Sequence, residues 1–497
     1  MKLVIRADAS TQIGTGHVMR CLALAQAWQD RGGGVMFVMA IKTPAIEARL
    51  KSEGMEVVYI PVQIGSIGDA EKTINLARKF NAKWVVIDGY NFGGEYQKII
   101  KGDGLRLLML DDYGHAEHYY ADIVLNQNIS ADERLYVHRE PYTQLLLGVK
   151  YTLLRREFWQ WRGWKREIPT VARLVLVTLG GSDADNVTLK VIQALQLVEL
   201  DDLEVVVVVG GSNPHYEQLK SVCLDAKFLI HLKRNVTNMP DLMAWADVAI
   251  AAGGSTNWEL AFMGLPSIIL VLADNQRAIS LELGKTKVAV NLGWHEDISV
   301  TEIGSTVAQL LINTDMRAEI VKNSQKLVDG EGYKQVLGYL KAKLLELRSV
   351  RSEDCRLLWE WSNELKVRVA SFSTGFIPWE DHVQWFKSKL NASNCIFYIA
   401  VDKNDAPVGQ IRYDIESNEE AVISISIDKK FRYQGYGSYL INLGCKQIFR
   451  DSNLTRINAY IKPSNKSSIK AFSQADFQNI ATTSIRGHLA FHFVKDR

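Results

Sequence analysis

Short apolar runs bounded by charge or glycine recur through the first part of the chain. KLVIRAD, GGGVMFVMA, VVYIPV, KWVVIDGY and LRLLMLDDY read as strands. Their apolar residues are continuous rather than alternating, the mark of strands buried on both faces. Between the first two, His17–Arg31 carries Val18, Cys21, Leu22, Ala25 and Trp28 at helical spacing. Strands alternating with such helices predict a parallel sheet covered on both sides. A second series follows in RLVLVTLGG, LEVVVVVGGSNP, KFLIHL, ADVAIAAGGS and LPSIILVL. Two such lobes facing each other make a cleft, and ligands favour the carboxyl ends of parallel strands.

The pattern breaks twice. The stretch LLRREFWQWRGWKREIP is rich in aromatics and arginine and ends at Pro169, which sets a lobe boundary between residues 1–165 and 166–350. Met316–Val350, ending in KAKLLELRSV, reads as helical and closes the second lobe. From residue 353 to 497 the character changes: a helix, CRLLWEWSNELKVR, precedes CIFYIAVD, PVGQIRYDI and AVISISID, which look antiparallel. The fold class expected is α/β, with two Rossmann-like lobes followed by a separate α+β domain.

A length of 497 residues suits three folding units, at about 100–200 residues each. Apolar residues at 47% and charged residues at 23% suffice for packed cores, and a net charge of +2 points to neither nucleic acid nor an anionic membrane. The start, MKLVIRADAS, lacks the apolar stretch of an export signal. The longest apolar run, Leu265–Ala273, falls far short of the roughly 18 residues of a membrane span. A cytoplasmic protein is expected. The five cysteines are scattered without a CxxC pair, which argues for reduced, buried thiols.

Three loops share one design of strand, glycine turn and helix: Gly14-Thr15-Gly16-His17, Gly180-Gly181-Ser182-Asp183 and Gly253-Gly254-Ser255-Thr256. Glycine permits close backbone approach, and the helix start offers free N–H groups, so each turn is a candidate anion cradle. A fourth turn, Gly210-Gly211-Ser212-Asn213, reads as simple chain reversal. No turn has the Gly-Lys-Ser/Thr ending of an ATP-binding loop. Asp183 beside a phosphate would repel it and is expected to cap the next helix. Asp111, Asp112, His115 and His118 could suggest a metal cluster, but turn and cap bonding is the better reading, and no metal is expected. Trp159, Trp161 and Trp164 are expected to pack between elements rather than to bind sugar.

Together, RADASTQIGTGHVMRCLALA, VIDGY, TLGGSD, AAGGSTNWELAFMGLPSI and Asp274-Asn275-Gln276 closely resemble the UDP-sugar hydrolases of pseudaminic acid biosynthesis over about residues 1–340. The resemblance implies two lobes of glycosyltransferase-B type and hydrolysis, with inversion, of a UDP-linked 2,4-diacetamido-2,4,6-trideoxy-altrose. It implies His17 as the base that activates water, with Tyr90 and Asn275 contacting the sugar. Gly253, Gly254, Ser255 and Thr256 would hold the diphosphate and Glu259 the ribose. Gly14, Gly16, Gly180, Gly181, Ser182 and Gln276 complete the expected substrate site. The chemistry agrees: UDP leaves readily, so a placed water, a base and donors for the departing phosphate suffice. Histidine, with an ordinary pKa of about 6.5, suits the base.

In the last third, Arg432-Tyr433-Gln434-Gly435-Tyr436-Gly437-Ser438 follows a strand and opens a helix, and Asn465-Lys466-Ser467-Ser468 lies downstream. These match the glycine signature and asparagine motif of the GCN5-related N-acetyltransferases. The resemblance implies acetyl-CoA as co-substrate, held by Ile427, Arg432, Gln434, Gly435, Tyr436, Gly437, Ser438 and Asn465. Phe472 stands where many relatives carry a proton-donating tyrosine, leaving water or Tyr460 for that task; Glu380 and His382 are candidates for the base. In the pathway, acetylation of the sugar 4-amine directly precedes UDP removal, so both activities in one chain would be consecutive steps. The rival readings are a glycosyltransferase using an acceptor hydroxyl, an inert nucleotide-sugar-binding module, and an acetyltransferase for other amines.

Overall fold

Three sheets organise the chain. The computed structural model describes residues 1–497 apart from Thr11, Ser182, Ser212, Lys403, Asn404 and Gln434. It divides into two compact units, Met1–Tyr333 and Lys334–Arg497.

The first unit holds two parallel sheets. In one, β1 (Lys2–Ala7), β2 (Gly34–Met39), β3 (Glu56–Tyr59), β4 (Trp84–Asp88), β5 (Arg106–Leu110), β6 (Ile123–Asn126) and β7 (Gln144–Leu147) are ordered 3-2-1-4-5-6-7. Every neighbouring pair is parallel. The central strands are buried apart from the first residues of β1 and β5, as their mainly apolar sequences require, and the one buried cation of β1, Arg6, is paired with Asp8 and Asp69. The other sheet has β8 (Leu174–Thr178), β9 (Glu204–Val209), β10 (Leu229–Arg234), β11 (Val248–Ala252), β12 (Ser267–Val271) and β13 (Val290–Trp294) in the order 10-9-8-11-12-13, also parallel. Each sheet has a point where the strand order reverses, between β1 and β4 in the first and between β8 and β11 in the second. Connections leave such a pair in opposite directions and open a crevice above the carboxyl ends.

The segment between the sheets packs as its composition suggests. Trp161 and Trp164 lie edge to face with each other and pack against the second lobe's core, and Trp159 stacks on Tyr333.

In the second unit, β14 (Glu346–Ser349), β15 (Cys395–Val401), β16 (Pro407–Ile415), β17 (Glu420–Ile427), β18 (Arg456–Ile461), β19 (Gln478–Ile485) and β20 (His488–Asp496) form one sheet ordered 14-15-16-17-18-20-19. All pairs are antiparallel except β17 with β18. That pair is joined only from Glu420–Val422 to Arg456–Asn458, after which the strands part. The segment Met316–Val350, expected to be helical, holds the helices Thr314–Leu327 and Gly332–Ala342 and then forms β14. Leu345 and Leu347 alternate with Glu346 and Arg348, a period of two that suits an edge strand paired with β15. The opening helix is likewise broken in two, Cys355–Asn363 and Leu365–Ala370, where Glu364 turns extended.

Candidate active site

The first helix (Gly16–Gln29) leaves the carboxyl end of β1, and His17 stands in its first turn. Next to β1 in the sheet is β4, whose last residue is Asp88. The strand reversal thus brings together two residues 71 positions apart, with His17 Nδ1 2.6 Å from Asp88 Oδ1. Burial pushes the Asp88 carboxyl up, but the Arg20 guanidinium and then His17 outweigh it and hold it below its ordinary range. An ionised carboxylate can only accept, so Nδ1 carries a proton, and in the neutral ring the lone pair lies on Nε2. Among the described residues Nε2 has no hydrogen-bond partner.

Arg20 stands one turn along the same helix. It grips Asp88 with Nε at 2.6 Å and Nη2 at 2.7 Å, and reaches Asp112 with Nη1 at 2.6 Å. Asp112 follows β5 and also accepts from Asn128 Nδ2 at 2.8 Å and from the Tyr90 hydroxyl at 2.8 Å. Its carboxyl is buried, yet Arg20 pulls its pKa down against that burial. Burial, then Asp112, pushes the Tyr90 phenol far up, so it remains protonated. Asn275, from the second lobe, donates to that hydroxyl at 2.6 Å. The hydroxyl expected to meet the sugar is therefore engaged by protein on both sides, and the Tyr90 ring stands edge-on to His17, 4.9 Å between centroids.

The glycine turns converge at the same place. A Cβ added to Gly16 would stand 3.7 Å from Ser255 Oγ, and one on Gly181 would stand 2.6 Å from Thr15 Oγ1. Gly14 adopts φ +79° and its N–H is spent on Ser10 within a tight turn. Gly180 adopts φ +98°. Gly253 differs from expectation. Its amide is already bonded to Leu270 O and to Gln276 Oε1, both at 3.1 Å, because β11 extends beside β12 into the turn. A Cβ there would strike Ser280 Oγ, so the glycine serves packing. The amides of Gly254, Ser255 and Thr256 meet no acceptor among the described residues. Gln276 is likewise occupied, its Oε1 also accepting from Leu272 N at 2.9 Å. Glu259 is bound by Arg155 through Oε1 alone, at 2.8 and 3.0 Å; burial raises its carboxyl and Arg155 partly offsets this. Ser182 lies outside the described residues.

The residues of the rival clusters make these contacts, with His115 Nδ1 also 3.3 Å from Asp111. Asp183 accepts from Val187 N and Thr188 N, capping the helix that follows. Asp111 accepts from Tyr113 N and Gly114 N in a turn, while His118 pairs with Glu140. The fourth glycine turn is a close contact, since a Cβ on Gly210 would run into the Gly181 carbonyl.

In the second unit, Gly435 adopts φ +79° at the start of the helix Tyr436–Asp451. A Cβ on Gly437 would stand 3.5 Å from Ala471. Ser438 Oγ donates to Gly435 O at 3.2 Å, and Tyr436 is buried. Arg432 does not present its side chain to a ligand: it forks onto both oxygens of Glu364 at 2.6 Å, and its Nε holds Ile427 O at 2.8 Å. Asn465 Oδ1 accepts from Ser468 N at 3.1 Å and so caps the helix Lys466–Ser473. Gln434 is outside the described residues. Phe472 is buried edge-on to Phe477. Tyr460 lies on the diverging part of β18, stacked on His492. Glu380 is exposed on the helix Trp379–Leu390, whereas His382 is buried with Nε2 donating to Cys355 O at 3.0 Å.

Sequence reasoning missed Asp88, Arg20 and Asp112 as members of the site. One signal was available: an arginine three residues after a candidate base lies on the same helix face.

Residues 174–331 match the glycosyltransferase family 28 C-terminal domain, and residues 345–478 the acetyltransferase (GNAT) domain. An uncharacterised protein of Methanocaldococcus jannaschii is 24% identical over 496 residues, 96% of this chain and 97% of its own. The UDP-2,4-diacetamido-2,4,6-trideoxy-beta-L-altropyranose hydrolase of Campylobacter jejuni is 28% identical over 224 residues, 44% of this chain and 73% of its own. The acetyltransferase PseH of the same species is 23% identical over 135 residues, 27% of this chain and 83% of its own. The chain thus joins two α/β lobes, similar to the UDP-diacetamido-trideoxy-altropyranose hydrolases and matching the glycosyltransferase family 28 C-terminal domain in the second, to a unit that matches the acetyltransferase (GNAT) domain.

Proposed function

We propose that the chain is a bifunctional nucleotide-sugar enzyme of the cytoplasm. Its second unit acetylates the 4-amine of a UDP-linked 4-amino-4,6-dideoxy-2-acetamido sugar. Its first unit hydrolyses the resulting UDP-2,4-diacetamido-2,4,6-trideoxy-L-altrose to free sugar and UDP, as in pseudaminic acid biosynthesis. The observation that carries the hydrolytic half is the oriented imidazole: Nδ1 is fixed by Asp88, and Nε2 is left as a base at the reversal of the strand order.

His17 Nε2 takes a proton from water as the water oxygen bonds to the anomeric carbon. The bond from that carbon to the phosphate oxygen breaks, and its electron pair leaves with UDP. The amides of Gly254, Ser255 and Thr256 receive the developing charge, and Glu259 Oε2 accepts from the ribose. Attack from the face opposite the leaving group inverts the anomeric centre.

The second unit suits acetyl-CoA. Gly435, in the left-handed region, turns the chain into a long helix whose positive N-terminal end suits a pyrophosphate. The parting of β17 from β18 leaves strand peptide groups for an extended ligand. When bound, acetyl-CoA supplies the activated acetyl group. Arg432 and Glu364 hold the turn, and the Tyr460 hydroxyl is the proton donor in place of Phe472.

The test is to incubate the full chain with the UDP-linked 4-amino sugar, with and without acetyl-CoA, and to follow UDP and N-acetyl sugar by NMR. Both products are expected with acetyl-CoA present. Acetylation without UDP release removes the hydrolase; UDP release that requires a second sugar replaces it with a transferase.

A further inference from the structure

An unbroken hydrogen-bond chain crosses the crevice between the lobes of the first unit. It runs from Asn275 to the Tyr90 hydroxyl (2.6 Å), to Asp112 (2.8 Å), to Arg20 (2.6 Å), to Asp88 (2.6 Å) and to His17 (2.6 Å). Its far end is anchored beside the diphosphate turn: Asn275 shares a short helical turn, Asp274–Gln276, with the residue whose side chain holds the Gly253 amide. We propose that Arg20 and Asp112 are positioning residues of the hydrolytic site, transmitting the docking of the Asp274–Gln276 turn to the orientation of His17. The inference rests on the hydrolase reading and deepens it.

Two physical reasons support it. The first is geometric. Asp88 alone could hold Nδ1 while swinging about its own χ angles. Arg20 grips both Asp88 oxygens and reaches Asp112 as well, so the carboxylate plane, and the ring bonded to it, are fixed. Asp112 is fixed in turn by Asn128 and Tyr90, and Tyr90 by a residue of the other lobe. If the second lobe withdraws, the Tyr90 hydroxyl loses its donor and the chain loses one end.

The second reason is electrostatic. The groups facing His17 are Asp88 at the end of β4 and Tyr90 just after it, Asp112 after β5, Arg20 on its own helix, and the neutral Asn275 behind Tyr90. The Cys21 thiol also lies on Asp88, at 3.4 Å. Two carboxylates favour the protonated form of an imidazole beside them. The Arg20 cation, with Nη2 3.3 Å from Nδ1, opposes them.

The two substitutions therefore pull in opposite directions. Arg20→Gln removes the cation, so His17 should retain its proton to higher pH, and the acid limb of the hydrolysis rate should move up by about one pH unit. Asp112→Asn removes an anion and should move the limb down. Both should lower kcat by about 10- to 100-fold, the usual cost of losing an outer support, with KM little changed. Arg20→Lys keeps the charge and loses the fork, so kcat should fall while the limb stays.

The experiment measures kcat, KM and the pH profile of UDP release from UDP-2,4-diacetamido-2,4,6-trideoxy-L-altrose for the full chain and these variants. It also follows the His17 titration by NMR of ¹³C-histidine-labelled protein, with circular dichroism as the check of folding. Opposite shifts for Arg20→Gln and Asp112→Asn support the proposal. Superimposable His17 titrations in a folded Asp112→Asn variant overturn it, whatever happens to the rate. If the unaltered chain releases no UDP yet the shifts appear, the coupling stands and the hydrolase reading is what fails.

Discussion

The imidazole of His17 and the carboxylate of Asp88 meet at 2.6 Å because their strands are sheet neighbours, although 71 residues separate them. Such a pair fixes both the tautomer and the aim of a general base. His17→Ala should abolish UDP release and leave acetyl transfer intact. Asp88→Asn, which can present its amide to Nδ1 and favour the wrong tautomer, should cost on the order of 10³–10⁴ in kcat, as for comparable dyads. Chromatographic assay of UDP and of N-acetyl sugar on the same samples checks both; loss of both activities together would count against independent sites.

Acid should loosen the first lobe through the same residues. Asp88 and Asp112 titrate below their ordinary range, held down by Arg20 against the opposing effect of burial. Their stabilisation is thus complete above the unfolded carboxylate pKa of about 3.9 and is lost as pH falls through the depressed folded values. Fluorescence-monitored unfolding should show stability falling below about pH 4. Asp112→Asn should weaken that dependence, at the cost of lower stability at neutral pH.

Gly435→Ala should damage the acetyltransferase selectively. The residue needs φ +79°, and a Cβ there would stand 3.0 Å from the Tyr339 ring. The backbone term alone costs roughly 1–2 kcal/mol, and relief requires the turn to shift. The KM for acetyl-CoA should rise, read as thiol release, while UDP release from the pre-acetylated sugar stays unchanged.

The thiols should divide by burial. Cys445 is pushed up to about 12, chiefly by burial, and Cys21 well above its ordinary value by burial and then Asp88. Neither should react with a disulfide reagent at pH 8 in the folded chain. Cys223, Cys355 and Cys395 are partly exposed and should react slowly. Denaturant should bring the total to five. Rapid reaction of Cys21 in the native protein would contradict its place behind Asp88.

Much of this arrangement was legible in one dimension. The long apolar strands announced both parallel sheets, and the glycine turns marked where their helices begin. Some short strands escape: Ile123–Asn126, Gln144–Leu147 and Glu346–Ser349 carry four residues each and lack the longer apolar run that marks Glu56–Tyr59 within VVYIPV. The partners of His17 were harder still. Asp88 and Asp112 look like ordinary strand-end aspartates, and only strand order makes them neighbours. Motif position alone marks Arg432, Asn465 and Gly253 as ligand contacts, and the structure adds that their side chain, cap oxygen and amide have partners within the protein. A motif marks a turn that must be built, and some of its residues are there to build it.

Where β17 and β18 part company, Asn458 occupies the last shared rung and binds Glu420 on one side and His492 on the other. That residue acts as the crotch of a fork. Beyond it, main-chain groups rather than side chains face the gap, so drift in the identities of Ile423–Ile427 would barely alter what the gap offers. A change at Asn458 would let the prongs zip further together or spring wider, retuning the whole opening from a position that need never touch what enters it.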